Sequence, residues 1–151
     1  MKGSLVNDSP CGPNGETDVL DLETPSLTLA LSGWLIRAAE GAGGRPALEV
    51  HSRERLVDVS VATPLVTDLL RGGRRSPTWS VAWGQLPPHL WRDPKAKVEV
   101  RFAYRAWRRA SLQVGSLVVG GAYWVAEAPG DFRTVLASAE GAEATLRLRR
   151  S

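Results

Sequence analysis

Residues 97–104 read Lys-Val-Glu-Val-Arg-Phe-Ala-Tyr, with an apolar side chain at every second position and mostly charge between them. Only an extended strand sends alternate side chains to opposite faces, so this segment predicts a half-buried strand. Val98, Val100, Phe102 and Tyr104 would face a core, with Lys97, Glu99 and Arg101 facing water. The same alternation recurs with Leu27, Leu29 and Leu31 in Ser26–Ser32, and with Val57, Val59 and Val61 in Arg55–Ala62. It recurs again with Trp79, Val81 and Trp83 in Thr78–Trp83. Ala47–His51, Ser111–Val119, Ala122–Glu127, Phe132–Ser138 and Glu143–Arg149 read as further strands. Turn signals fall between them: Gly41 to Pro46, Gly120-Gly121 and Glu140-Gly141. Short strands at this spacing predict an all-β fold, a small β-barrel or β-sandwich of about eight short strands. One short helix is expected over Thr63–Leu70. Thr63 suits the cap and Pro64 the first turn, Leu65/Leu69 and Val66/Leu70 form apolar pairs, and Gly72-Gly73 provides the stop.

Residues 1–24 show no such periodicity and are rich in Asn, Asp, Ser, Pro and Gly. They read as a flexible, extended N-terminal arm, leaving 25–151 as a single β domain. The arm carries Asp8, Glu16, Asp18, Asp21 and Glu23 against Lys2. Residues 71–109 carry ten Arg or Lys against Asp93 and Glu99. An acidic arm on a basic body can fold back on that body or reach a basic neighbour. The single cysteine, Cys11, cannot close a disulfide within the chain. Met1–Gly15 lacks the apolar run of a signal peptide, and the apolar stretch Leu27–Ile36 is too short to span a bilayer. The expectation is a soluble chain of the cytoplasm or a virion, neither secreted by a signal peptide nor transmembrane.

Catalytic chemistry has little to stand on in the sequence. His51, His89 and Cys11 show no paired metal-ligand spacing, so no metal and no cofactor are expected. There is no G-x-S-x-G elbow. Gly41–Gly44 runs into Arg45, Pro46 and a strand rather than a helix, which suits a hairpin loop and not a phosphate cradle. Glu49, Glu54, Asp58, Glu127 and Asp131 offer carboxylates without any spacing that would pair them. The expectation is that the chain is not an enzyme, with no catalytic residues.

Six tryptophans stand out in a chain of 151 residues. Trp79 and Trp83 alternate with Val81 and read as core. Trp107 is different, since Arg105, Arg108 and Arg109 surround it; together these four could stack and neutralise a single-stranded nucleic acid or hold a glycan. Tyr123, Trp124 and Val125 must point to alternate faces of one strand, so that strand is apolar on both sides. This is expected where one face meets another chain or a barrel interior. These three residues, with Asp18 and Asp21 of the arm, are the candidate interface to other subunits, either a homo-oligomer or a shell.

Val114 to Val125, a strand ending at Gly120-Gly121 and resuming as Tyr-Trp-Val, resembles the β-hairpin of tailed-phage head–tail connector proteins, the adaptor and stopper group. Pro129 to Arg133 and Thr145 to Arg150 look similar to segments that follow in some members. The likeness covers roughly the last third of the chain. Small phage decoration proteins with extended arms would suit the same residues. The resemblance implies a β subunit repeated in a ring or lattice of a virion, with protein partners, no catalysis and no membrane. The functional expectation is a non-enzymatic structural or assembly subunit, the alternative being a module for single-stranded nucleic acid or glycans.

Overall fold

The computed structural model of the chain describes residues 26–65, 68–104 and 111–151. They form thirteen strands: β1 (Ser26–Thr28), β2 (Leu35–Glu40), β3 (Pro46–His51), β4 (Leu56–Val61), β5 (Gly72–Arg75), β6 (Trp79–Gln85) and β7 (Glu99–Ala103), then β8 (Ser111–Val114), β9 (Leu117–Val119), β10 (Tyr123–Pro129), β11 (Thr134–Ala139), β12 (Ala142–Arg147) and β13 (Arg149–Arg150). Two single 3-10 turns, Ala42–Gly44 and Pro88–Leu90, accompany them. The strands assemble into three sheets, and no closed barrel forms among the described residues. The N-terminal sheet has the order β1-β2-β3-β4, the central sheet β9-β10-β6-β5-β13, and the C-terminal sheet β12-β11-β7-β8. All neighbours are antiparallel except β13, which runs parallel to β5.

The two faces of the central sheet belong to two separate cores. Ala82, Trp124, Ala126 and Ala128 pack with Val100, Phe102, Val135 and Ala137 of the C-terminal sheet. Val81, Trp83, Tyr123 and Val125, from the opposite faces of the same strands, pack with Ile36, Ala38, Leu48 and Val50 of the N-terminal sheet. A strand buried on both faces carries no polar alternation, and β10 has none over Tyr123–Ala126. The expected outer partner for Tyr123, Trp124 and Val125 is therefore corrected. All three are fully enclosed by the chain's own sheets and present no surface to a second subunit.

Several expected elements fall differently. Residues 63–70 form no helix among those described. The Thr63 hydroxyl accepts the Leu65 N–H, the Asp68 carbonyl accepts the Gln85 N–H, and the Leu69 carbonyl accepts the Trp124 indole N–H. Tertiary donors and a local turn thus claim the groups a helix would need. Gly72-Gly73, expected as its stop, instead opens β5. Gly72 lies opposite Trp83 on β6, whose ring occupies the space where a Cβ would stand. Ser26–Ser32 is extended only to Thr28, and Ser111–Val119 breaks at Gly115–Ser116, passing from the C-terminal to the central sheet. Leu148 makes the second such crossing, buried between β12 and β13. Tyr104, expected inward, is 47% exposed and stacks on Phe132 at 4.6 Å.

The face of β4 is inverted relative to expectation over Asp58–Val61, whereas Val57 packs against the core as expected. Val59 and Val61 point to solvent, whereas Ser60 is buried and Asp58 is half-buried. A bulge between Val50 and His51 shifts the register at the start of this pairing. The inward polar groups are tolerated because the central sheet supplies their partners.

Candidate binding surfaces

Asp58 and Arg71 form the joint between the N-terminal and central sheets. Arg71 donates from Nε to Asp58 Oδ2 at 2.8 Å and from Nη2 to Oδ1 at 2.9 Å. Its Nη1 reaches Asp68 Oδ2 at 2.9 Å. The Trp83 indole N–H donates to Asp58 Oδ2 at 2.8 Å, and the Ser60 hydroxyl meets the Tyr123 hydroxyl at 2.9 Å. Burial pushes the Asp58 carboxyl upward. Hydrogen bonds from Arg71 and Trp83 and the Arg71 charge outweigh that effect and hold it below its ordinary value. The Asp58 hydrogen bond pushes Arg71 up. Burial raises the Tyr123 phenol, partly opposed by its bond to Ser60. Each charge here is matched by a partner, so the cluster acts as a fastening and offers no reactive group.

Beyond this joint, β4 is the outer strand of its sheet among the described residues. Across the ladder its outward residues match His51, Glu49 and Ala47, which fixes Leu56, Val59 and Val61 on the solvent face. They are 49%, 50% and 40% exposed, and Leu65, just beyond the strand, is 89% exposed. Arg71 Nη2 also donates to the Val59 carbonyl at 3.2 Å, covering part of the strand's free edge. At the other end of the central sheet, edge strand β9 exposes Leu117 and Val118.

A groove runs between the β3–β4 turn and the end of the central sheet. One part encloses about 500 Å³ among Ser32, Trp34, Arg53, Thr78 and Trp79. A narrower part of about 180 Å³ continues past Arg55, Val57, Arg74 and Arg150. Trp34, Ser52 and Ser151 line both. The β1–β2 turn that carries Trp34 is held by Glu127, which accepts hydrogen bonds from the Leu31 and Ser32 N–H groups at 2.7 and 3.1 Å. Trp34 meets Trp79 edge-on, with centroids 5.4 Å apart. A second recess of about 500 Å³ lies beside the β11–β12 hairpin, where Lys95 and Lys97 face Glu99, Glu140 and Glu143.

Of the residues singled out in the sequence, Trp107, Arg105, Arg108, Arg109, Asp18 and Asp21 lie outside the described residues. His51 sits 3.0 Å from Glu49 on β3, and His89 3.4 Å from Glu140. Among the described residues no three metal-ligating side chains cluster, and no helix is long and apolar enough to cross a membrane. The groove was not legible beforehand, since its arginines and tryptophans come from segments far apart in sequence. Outward valines on β4 were hidden by the same alternation that predicted the strand. Comparison with protein-family models, curated proteins and solved structures returns no match.

Proposed function

We propose that the chain is a non-enzymatic assembly subunit that joins copies of itself through the outward face of β4. The observation that carries this is the row Leu56, Val59 and Val61, large apolar side chains left in water on an outer strand. Monomeric β proteins usually protect such strands with charge, proline or a covering loop, and an uncovered apolar row marks a contact surface. Arg71 blocks simple ladder extension at the Val59 carbonyl, so the partner packs on the side chains rather than adding a strand there. Leu117 and Val118 on β9 supply a second contact in a different direction, as repeated assembly requires. The likeness of residues 114–125 to connector hairpins makes the head–tail junction or shell of a tailed phage the assembly this reading names.

Sedimentation velocity over a concentration series tests the proposal. The intact chain is expected to associate with rising concentration, and V59K/V61K to remain monomeric with unchanged thermal stability. An intact chain that sediments as a monomer throughout contradicts the proposal.

A further inference from the structure

The groove beside the β3–β4 turn has a chemistry that edge docking leaves unused. Arg53, Arg55, Arg74 and Arg150 line its two parts, and Glu54 is the one acidic side chain among the described lining residues. Among the described residues Arg55's guanidinium has no partner and Arg74's reaches only the neighbouring Gly73 carbonyl, whereas Arg53 Nε donates to the Ser32 carbonyl and Arg150 pairs with Asp131 at 3.4 Å. Its aromatic wall is Trp34, 2% exposed, with Trp79. Trp83, Trp91 and Trp124 each donate their indole N–H to a carboxylate or carbonyl. Those of Trp34 and Trp79 have no acceptor among the described residues. The recess thus combines excess positive charge with the half-buried Trp79 ring and its unused N–H, a combination that fits an extended acidic peptide carrying aliphatic side chains.

Such a peptide exists in the chain itself. Residues 18–23 read Asp-Val-Leu-Asp-Leu-Glu, with carboxylates interleaved with aliphatic groups, and residues 1–24 carry five acidic side chains against Lys2. This segment leads directly into β1, and Trp34 follows β1 by one tight turn. Extended, the eight residue-to-residue steps from Asp18 to Ser26 span at most ~26–29 Å, which sets the reach of the segment from the start of β1. We infer that the groove is the receptor for the acidic segment 18–23, whose carboxylates pair with Arg55 and Arg74, beside Arg53 and Arg150, while its aliphatic side chains cover the half-buried Trp79. This docking does not require β4 contacts. The two readings fail separately, because V59K/V61K leaves the groove intact.

Cys11, the single cysteine, allows a nitroxide label to be placed on the full chain without any substitution. In amide spectra of the labelled protein at low salt, Ser52–Arg55, Thr78 and Trp79 are expected to lose most of their intensity relative to the reduced label. The signals should return in about 1 M salt, where screening shortens to about 3 Å. They should also return in an R55E/R74E variant whose other amide positions are unchanged. Mixing labelled unenriched chains with unlabelled enriched ones shows whether the segment comes from the same chain or a second copy; the proposal holds in both arrangements. Uniform or absent broadening at the groove, or broadening indifferent to salt and to R55E/R74E, would overturn it.

Discussion

Replacing Asp58 with alanine tests how the two halves of the fold are held together. The substitution strands the Trp83 indole N–H, which lies in a side chain only 1% exposed, and a buried donor without a partner costs about 1–3 kcal/mol. Arg71 loses two bonds but keeps Asp68 and the Val59 carbonyl. Its side chain is 29% exposed, so solvent screening limits that loss to about 0.5–1 kcal/mol. The sum is about 1.5–4 kcal/mol, or roughly 3–16 °C in Tm for a chain of this length. Asp58→Asn retains an acceptor for Trp83 while removing the charge, and should lose less than half as much. Because the folded carboxyl lies below its ordinary value, its contribution is fully present above the unfolded value of about 3.9 and is lost as pH falls through the lower folded one. The gap between intact protein and D58A should therefore stay constant from neutrality to about pH 5 and narrow in more acid solution. Urea titrations of the three proteins across that range provide the measurement. A D58A loss below about 0.5 kcal/mol, the range of ordinary surface substitutions, would refute the idea that Asp58 fastens the sheets.

Other substitutions probe the central layer. A methyl group at Gly84 would collide with the Leu69 carbonyl that receives the Trp124 indole N–H, so Gly84→Ala should destabilise by about 3 kcal/mol or more, read by calorimetry. Glu127→Ala removes the acceptor for the Leu31 and Ser32 N–H groups in a part-buried turn. A loss of about 1–2 kcal/mol is expected in urea unfolding, with the β1–β2 turn exchanging its amides faster. Asp131→Asn, which weakens pairs with Arg75 and Arg150 near the surface, should change stability by less than about 1 kcal/mol, and less still in high salt.

What the sequence reveals depends on whether its signal is local. Val98, Val100 and Phe102 announce β7 because one face of that strand is polar and the other is core. The same rule misleads at β4. Val59 and Val61 look like the buried set, yet Asp58 and Ser60 turn inward because Arg71, Trp83 and Tyr123, 13 to 63 residues away, satisfy them. β5 is invisible for a related reason. Glycine has weak strand preference, and only the Trp83 ring across the ladder explains why Gly72 belongs there. The apolar character of β10 on both faces was legible, but its cause was not. A third sheet formed by residues 26–61 covers the face that would otherwise require a partner. The groove is non-local in the same way, since Trp34, Arg55, Arg74 and Arg150 converge only once the N-terminal and central sheets meet.

Amide hydrogen exchange at low and high protein concentration tests most directly whether this is an internally closed sheet stack that meets its neighbours at its outer strands. Trp79–Gln85 and Tyr123–Pro129 should be the slowest amides at both concentrations, while Leu56–Val61 and Leu117–Val119 exchange faster and gain further protection as concentration rises. Rapid exchange in β6 and β10, or protection of β4 and β9 that ignores concentration, would contradict the account.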